Sequence, residues 1–256
     1  MAMGLLPALA TGTLVVAGAI VTLDAAVRLS ATILGRTVGQ RSSVKRSIRK
    51  LSANETGRFF ESVLGIPQIE RTLAAYRERV WAHRLYFVQA LTDGDDRVAI
   101  YSVVSRRPSF RLKVPIPGGG WHAAGQKRAA TIILGRTHFA DIPWRPERIT
   151  AALGARRSWY AEVFYLGNPG HYQHLVLSIN DAASATGDAS GVISLMQPAG
   201  EWPDISTDDP GVHSARQRAA PNAYSVTAPL LGLADIEATH GLFGADQDEV
   251  RALPNW

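Results

Sequence analysis

The sequence predicts an α+β domain that follows an N-terminal transmembrane helix, and three observations lead to this prediction. Residues 5–23 form an almost unbroken run of apolar and small side chains, about as long as a helix that crosses a bilayer. Residues 36–50 then carry six basic side chains and no acidic one. Beyond them, segments rich in β-branched and aromatic residues occur in pairs around short turns, between stretches with helical spacing.

The composition bounds the class of protein. The chain has 256 residues, of which 46% are hydrophobic and 19% are charged, and these fractions are typical of a globular fold. Because the chain contains no cysteine, it excludes a disulfide scaffold, cysteine-ligated zinc, an iron–sulfur cluster and a cysteine nucleophile.

Residues 1–35 are predicted to form a membrane anchor, since no charged side chain occurs before Asp24. One alternative is a cleaved signal peptide, although that would carry basic residues before its apolar stretch; another is a buried core helix. Because positive charge follows the predicted span, we expect the N-terminus outside and the rest of the chain on the cytoplasmic side of the inner membrane. Small residues four apart within the span would permit homo-oligomerisation.

Residues 36–53 are predicted to be a basic juxtamembrane segment. The net charge of the whole chain is +5, and it becomes −1 without the six basic residues of this segment. Val44, Ile48 and Leu51 recur at helical spacing, so a helix here would lie on the anionic headgroups of a lipid bilayer. In the alternative interpretation the segment only orients the anchor. The predicted membrane-surface contacts are Arg36, Arg41, Lys45, Arg46, Arg49 and Lys50.

Nucleic acid is not expected as a partner of this basic segment. It contains no Phe, Tyr or Trp that could stack on a base. The remainder of the chain, with its slightly negative net charge, does not present the broad basic face of a nucleic-acid-binding domain.

Residues 54–256 are predicted to form the α+β domain, with helices, glycines and hairpins in alternation. In chain order we expect helices at 55–65 and 67–80, a hairpin of strands at 85–91 and 97–105, and a third strand at 109–114. We then expect a strand at 129–135, a short helix at 146–153 and a hairpin of strands at 158–167 and 171–180. Helix, glycine and hairpin thus occur twice, which suggests two α-β-β modules at 54–118 and 129–256.

The last part of the chain has less regular patterning. From residue 181 to residue 221 the composition is dominated by Ala, Ser, Gly, Pro and Asp, and a strand is expected only at 191–196. A strand at 222–228 and a helix at 246–253 are expected to close the domain.

Several segments carry a resemblance to a known group of proteins. They are FFESVLGIP, YFVQALTD with VAIYSV, GNPGHYQ, PNAYSVTAP and FGADQDEVRAL. Together they resemble a family of bacterial single-pass membrane-anchored proteins of uncharacterised function, over most of residues 55–253. The resemblance implies an anchor and a cytoplasmic α+β domain, and it transfers no catalytic residue. The order of helix, glycine, proline and hairpin also resembles small modules of outer-membrane assembly lipoproteins, whose lipid-bearing cysteine this chain lacks.

No segment has a recognisable catalytic or metal-binding pattern. His171 and His174 lie three apart in a predicted strand, so their side chains would point to opposite faces and would not share a metal ion. The stretch Gly187–Gly191 lacks the Gly-x-Ser-x-Gly pattern of a nucleophile elbow. We therefore expect no metal and no cofactor. For a ligand pocket, the candidate residues are Arg106, Arg107, His171 and Asp181.

Three hypotheses for the function follow. The first is a membrane-anchored, non-enzymatic protein-interaction or scaffold module with a protein partner, which the missing catalytic set and the long stretch at 181–221 favour. The second is a membrane-tethered ligand sensor, which would require a closed pocket with convergent polar groups. The third is a hydrolase whose site is assembled from residues distant in sequence.

Overall fold

A long antiparallel sheet is the main feature of the computed structural model, which describes residues 41–73, 75–121, 130–153, 158–180, 186–187, 197–198, 204–232 and 244–245. The chain divides into two units, Met1–Arg49 and Lys50–Trp256. In the first unit, residues 41–48 are helical. The second unit contains the sheet.

The described strands are β1 (Ile69–Leu73), β2 (Tyr76–His83), β3 (Tyr86–Thr92), β4 (Val98–Ser105), β5 (Arg148–Leu153), β6 (Ser158–Asn168), β7 (His171–Asn180), β8 (Thr186–Gly187), β9 (Gln197–Pro198), β10 (Asp204–Ile205), β11 (Ala219–Ala220) and β12 (Ala223–Thr227). The main sheet has the order β1-β2-β3-β4-β12-β7-β6-β5-β10, with β9 beside β5, and β8 pairs with β11 separately. All described pairs are antiparallel except β5 with β9.

Two short α-helices accompany these strands, and side chains cap both of them. In α1 (Gly57–Leu64), the Thr56 hydroxyl accepts a hydrogen bond from the Phe59 N–H at 3.1 Å, and Gly65 ends the helix with a φ of 87°. In α2 (Pro210–Arg218), the Asp209 carboxylate accepts from the Gly211 N–H at 2.6 Å. Two 3-10 turns, Pro117–Gly119 and Phe139–Asp141, lie in the connection between β4 and β5.

The predicted fold class is wrong. The described residues form mainly one antiparallel sheet with few helices, and β12 lies between β4 and β7, so the two predicted α-β-β modules merge into one sheet. Within the described ranges, no helix combines the length and the apolar character needed to cross a membrane, which contradicts the predicted single-pass transmembrane architecture. The predicted anchor at residues 1–35 lies outside the described residues.

The helix predicted at 67–80 is also wrong, because this segment forms the β1–β2 hairpin. Its apolar residues, Ile69, Leu73, Tyr76 and Val80, recur at spacings of four, three and four. A spacing of four fits a helical face, but it is also a multiple of two and therefore fits one face of a strand. The register pairs Ile69 with Val80 and Leu73 with Tyr76, so all four share one face of the sheet.

In the segment between β4 and β6, the pairing partners explain why the structure differs from the prediction. The helix predicted at 146–153 is β5, because Ile149 and Ala151 are buried where β5 pairs with β6, and this tertiary pairing outweighs local propensity. The strands predicted at 109–114 and 129–135 are reduced to a single bridge between Lys113 and Ile133.

Several predicted elements are confirmed. They are α1, the β3–β4 hairpin, the β6–β7 hairpin and the strand β12. The segment 181–221, in which only a strand at 191–196 was expected, contains the helix α2. The elements predicted at 191–196 and 246–253 lie outside the described residues.

Both faces of the central sheet are buried, since every residue of β3, β4 and β12 is buried. One face, which we call the α1 face, packs Tyr101 against Phe60 of α1 and against Tyr224. The opposite face carries two apolar clusters, one around Leu91, Ile100 and Val163 and the other around Val80, Phe87 and Val104.

Candidate protein-interaction edge

The strand β1 forms an exposed edge of the main sheet. Its one neighbour in the described sheet order is β2, and its central residues Glu70, Arg71 and Thr72 are exposed to solvent, while Ile69 and Leu73 are half-buried. An edge strand directs unpaired backbone N–H and C=O groups outward, where a further strand can bond to them. The fold therefore offers a pairing surface at β1.

Ion pairs on both faces hold β1 against β2. On the α1 face, Glu70 Oε1 lies 3.6 Å from Nε of Arg77 and 3.6 Å from Nε of Arg79. On the opposite face, Arg71 pairs with Glu78, whose side chain is fully buried and which also accepts a hydrogen bond from Gln89. A buried carboxylate without partners would be strongly destabilising, so these contacts fix the position of the edge.

Arg79 connects the same edge to the start of α1. Its side chain is 5% exposed, and Nη1 donates to Asp96 Oδ1 at 2.7 Å. Asp96 also accepts a hydrogen bond from the Arg58 backbone N–H at 3.2 Å. Partial burial alone would raise the pKa of Asp96, but the hydrogen bonds and charges of Arg79 and Arg58 outweigh it and lower the pKa. The carboxylate therefore stays ionised and keeps the hairpin and the helix together.

The chain that enters β1 presents an apolar side chain to solvent. Ile66 is 84% exposed, and Gln68 fixes its position by donating from Nε2 to the Ile66 carbonyl at 2.9 Å. Gln68 Oε1 in turn accepts from the Ala82 N–H at 2.5 Å, and Trp81 Nε1 donates to the Gly65 carbonyl at 2.7 Å. The exposed apolar surface of Ile66 thus lies immediately before the edge strand.

A shallow pocket of about 200 Å³ lies at the turns between β1 and β2 and between β3 and β4. It is lined by Thr72, Ala75, Tyr76, Arg77, Thr92, Asp93, Gly94 and Asp96. Its two carboxylates are already engaged, since Asp93 accepts the N–H groups of Asp95 and Arg97 and Asp96 binds Arg79. Among the described residues, no group of three or more His, Asp or Glu side chains is arranged to hold a metal ion. We assign no ligand to this pocket.

A buried acid lies far from this edge, in the middle of β6. Glu162 is fully buried; its Oε1 lies 3.0 Å from Arg216 Nε and accepts from the Tyr160 hydroxyl at 2.8 Å, while Oε2 has no hydrogen-bond partner in the described part of the chain. Arg216 also donates from Nη2 to the Phe139 carbonyl at 3.0 Å. Burial raises the pKa of Glu162 to about 7, and Arg216 and Tyr160 only partly oppose this. Through Arg216, the carboxyl group helps to hold α2 and the Phe139 turn on the sheet. Because it is enclosed, it is out of reach of a substrate.

The raised pKa of Glu162 predicts a stability that decreases as the pH rises. The folded state holds the proton up to about pH 7, whereas the unfolded chain loses it near pH 4.5. The protonated Glu162 therefore stabilises the folded state by an amount on the order of 3 kcal/mol. This stabilisation is fully present below pH 4.5 and is lost as the pH rises through 7. Denaturant unfolding between pH 4 and pH 8 measures it. Glu162→Gln should flatten this part of the profile, and an unchanged slope in that variant would rule out Glu162 as the cause.

The structure separates the residues of the predicted ligand pocket. Arg106 follows the end of β4, where its guanidinium lies 4.6 Å from the ring centroid of Phe87 and donates to the His83 carbonyl at 3.1 Å. His171 begins β7, and β4 and β7 run in the same direction because both are antiparallel to β12. His171 and Arg106 therefore lie at opposite ends of the sheet. Arg107 is next to Arg106, and Asp181 lies outside the described residues.

The predicted basic contacts fall mostly on the helical segment that precedes the sheet. Arg41, Lys45 and Arg46 lie in the helix at 41–48, and Arg49 and Lys50 follow in a turn. All of these are exposed except Lys45, which is half-buried. Arg36 lies outside the described residues.

Sequence reasoning missed both the edge strand and the buried ion pair. One local signal was present for the ion pair, because Glu162 stands in the otherwise apolar stretch of β6, and an acid in a buried strand requires a partner. That partner, Arg216, is 54 positions away in a segment without a clear pattern, so only the fold identifies it.

A comparison with known protein families, curated proteins and solved structures finds no match to this chain. The resemblance to bacterial membrane-anchored proteins therefore stays a prediction.

Proposed function

We propose that this protein is a non-enzymatic protein-interaction module that binds an extended segment of a protein partner by adding it to β1. The observation that supports this proposal is the exposed, firmly held edge strand, since β1 is paired through β2 alone in the described sheet and its central side chains are exposed. Strand addition derives affinity from backbone hydrogen bonds and specificity from alternate side chains.

The side chains of β1 indicate what the partner segment should contain. Ile69 and Leu73 pack against the apolar clusters of the opposite face, so an added strand would extend that face with apolar residues beside them. Between them, Arg71 favours an acidic residue on the partner strand, because opposite charges across neighbouring strands attract. On the α1 face, Glu70 favours a basic residue. The expected partner is thus a short amphipathic segment that carries both charges.

A second copy of this chain fits the edge poorly. In a symmetric antiparallel pair centred on the middle of β1, Arg71 would face Arg71, and a shift of the centre to Glu70 would bring two carboxylates together. Like charges directly opposite one another are destabilising, and charged edge residues of this kind discourage self-association. The proposal therefore specifies a different protein as the partner.

The test introduces either a negative or a positive charge at Thr72, which is exposed on the edge strand. A library of nine-residue peptides is selected in parallel against Thr72→Glu and Thr72→Lys. We expect the glutamate variant to enrich Lys or Arg at one fixed peptide position, and the lysine variant to enrich Asp or Glu there. Since a cross-strand charge pair contributes about 0.2–1 kcal/mol, each preference should amount to about 1.5- to 5-fold in affinity, measured by fluorescence polarisation.

A matched pair of variants at Ser109, Ser109→Glu and Ser109→Lys, controls for general charge effects, because Ser109 is exposed and lies outside the strands. These variants should select the same peptides as the unmodified chain. The proposal fails if the Ser109 pair shifts the selection as strongly as the Thr72 pair, or if no peptide is retained by any of the proteins.

A further inference from the structure

The basic segment 41–50 carries five positive side chains, three on the helix at 41–48 and two in the turn that follows it. Within the helix, Arg41 and Lys45 lie four residues apart, and Arg46 follows Lys45. Arg49 and Lys50 lie in the turn after the helix. With 3.6 residues per turn, Arg41, Lys45 and Arg46 span about 140° of the helix circumference, and Val44 and Ile48 lie outside this arc. The structure therefore places three positive charges on one side of about two helical turns, and two more directly after the helix. We refer to these five side chains together as the basic face.

We propose that the basic face binds the anionic headgroups of a lipid surface. Residues 41–50 carry five basic side chains and no acidic one. Four of these five basic residues are exposed. Each basic residue close to an anionic bilayer strengthens binding by about fivefold, so several acting together bind such a surface well. This inference is independent of the strand-addition proposal, because it concerns a different segment of the chain and a different ligand.

The shape and composition of the segment favour a lipid surface over nucleic acid. The helix at 41–48 is about 12 Å long and carries its basic residues on one side, which suits a plane of many headgroups. Residues 36–53 contain no aromatic side chain, whereas proteins that bind single strands interleave aromatic and basic residues. The cationic residues at the end of the helix also interact favourably with its dipole, which stabilises the helix without changing its outward charge.

The experiment measures co-sedimentation of the full chain with vesicles of phosphatidylcholine alone and with 30% phosphatidylglycerol. The test variant combines Arg41→Glu, Arg46→Glu, Arg49→Glu and Lys50→Glu. The control combines Arg84→Glu, Arg107→Glu, Arg111→Glu and Lys113→Glu, which are also exposed and change the net charge equally. We expect the partition coefficient on the anionic vesicles, relative to neutral ones, to fall by about 100-fold or more in the test variant and by less than about fivefold in the control.

A second test variant replaces the same four residues with glutamine, which is a good helix former, so that loss of the helix and loss of charge can be distinguished. It should also lose preferential binding to anionic vesicles while circular dichroism stays unchanged. The proposal is overturned if test and control variants lose binding equally, or if neutral and anionic vesicles bind the unmodified chain equally. It is also overturned if a DNA duplex binds more tightly than anionic vesicles at equal phosphate concentration.

Discussion

Replacing Arg216 with alanine is expected to lower the free energy of unfolding by about 3–5 kcal/mol, because it leaves a fully buried carboxylate without its countercharge. Arg216 Nε lies 3.0 Å from Glu162 Oε1, and the same guanidinium donates to the carbonyl of Phe139. The substitution therefore removes a side chain that joins α2 to both the sheet and the Phe139 turn. Chemical denaturation at pH 8, where Glu162 is mostly ionised in the folded state, gives the largest difference.

The matched control for Arg216→Ala is Arg218→Ala on the same helix. Arg218 is exposed and bonds locally to Ser214, so its loss should change the stability by no more than about 0.5 kcal/mol. Adding Glu162→Gln to Arg216→Ala should recover part of the lost stability, since the buried charge is then absent. Equal losses in Arg216→Ala and Arg218→Ala would show that the buried ion pair is not important for stability.

Replacing Phe60 with alanine is expected to cost about 3–5 kcal/mol, since it removes a large, fully buried side chain from the α1 face. The Phe60 ring centroid lies 6.0 Å from that of Trp81 and 5.7 Å from that of Tyr101. Both partners are buried on the sheet, so the substitution leaves a cavity that rigid strands cannot close. Thermal and urea unfolding measure the loss.

The neighbouring Phe59 provides the control for Phe60→Ala. Phe59 has the same chemistry and lies on the same helix but is half-buried, so Phe59→Ala should cost less than half as much. If the two substitutions cost the same, then the packing of Phe60 against Trp81 and Tyr101 is not the cause of the loss.

Local sequence patterns were sufficient to predict an element where the residues that pair with it or cap it lie in the same short segment. The β3–β4 hairpin was predictable because two apolar runs flank a short turn around Gly94, so that the partner strand is the next segment of the chain. The helix α1 was predictable in the same way, since its cap and the Gly65 that ends it lie within ten residues.

Local patterns were not sufficient for the segments whose partners are distant. The spacing from Ile69 to Val80 is compatible with both a helical face and a strand face, and only pairing with β3 selects the strand. The segment around Ala151 has good helix formers, yet its place between β6 and β10 makes it a strand. Neither partner can be identified from the segment alone.

The candidate sites likewise divide into one that depends on the sequence alone and others that depend on the fold. The concentration of positive charge at residues 36–50 is a property of the sequence, because charge does not depend on the fold. The exposure of β1 depends on the order of the strands, which no local pattern encodes. The separation of Arg106 from His171 likewise follows from the direction of β4 and β7 relative to β12.

The sequence by itself thus determined the two central hairpins, the helix α1 and the position of the basic segment. These features depend on residues that are close along the chain, where turn chemistry, capping and charge act directly. The tertiary structure decided the single sheet, the edge at β1 and the pairing of Glu162 with Arg216. Those features depend on contacts between segments far apart in sequence, and such contacts form only where the burial of the whole sheet outweighs the conformational entropy that is lost on bringing the segments together.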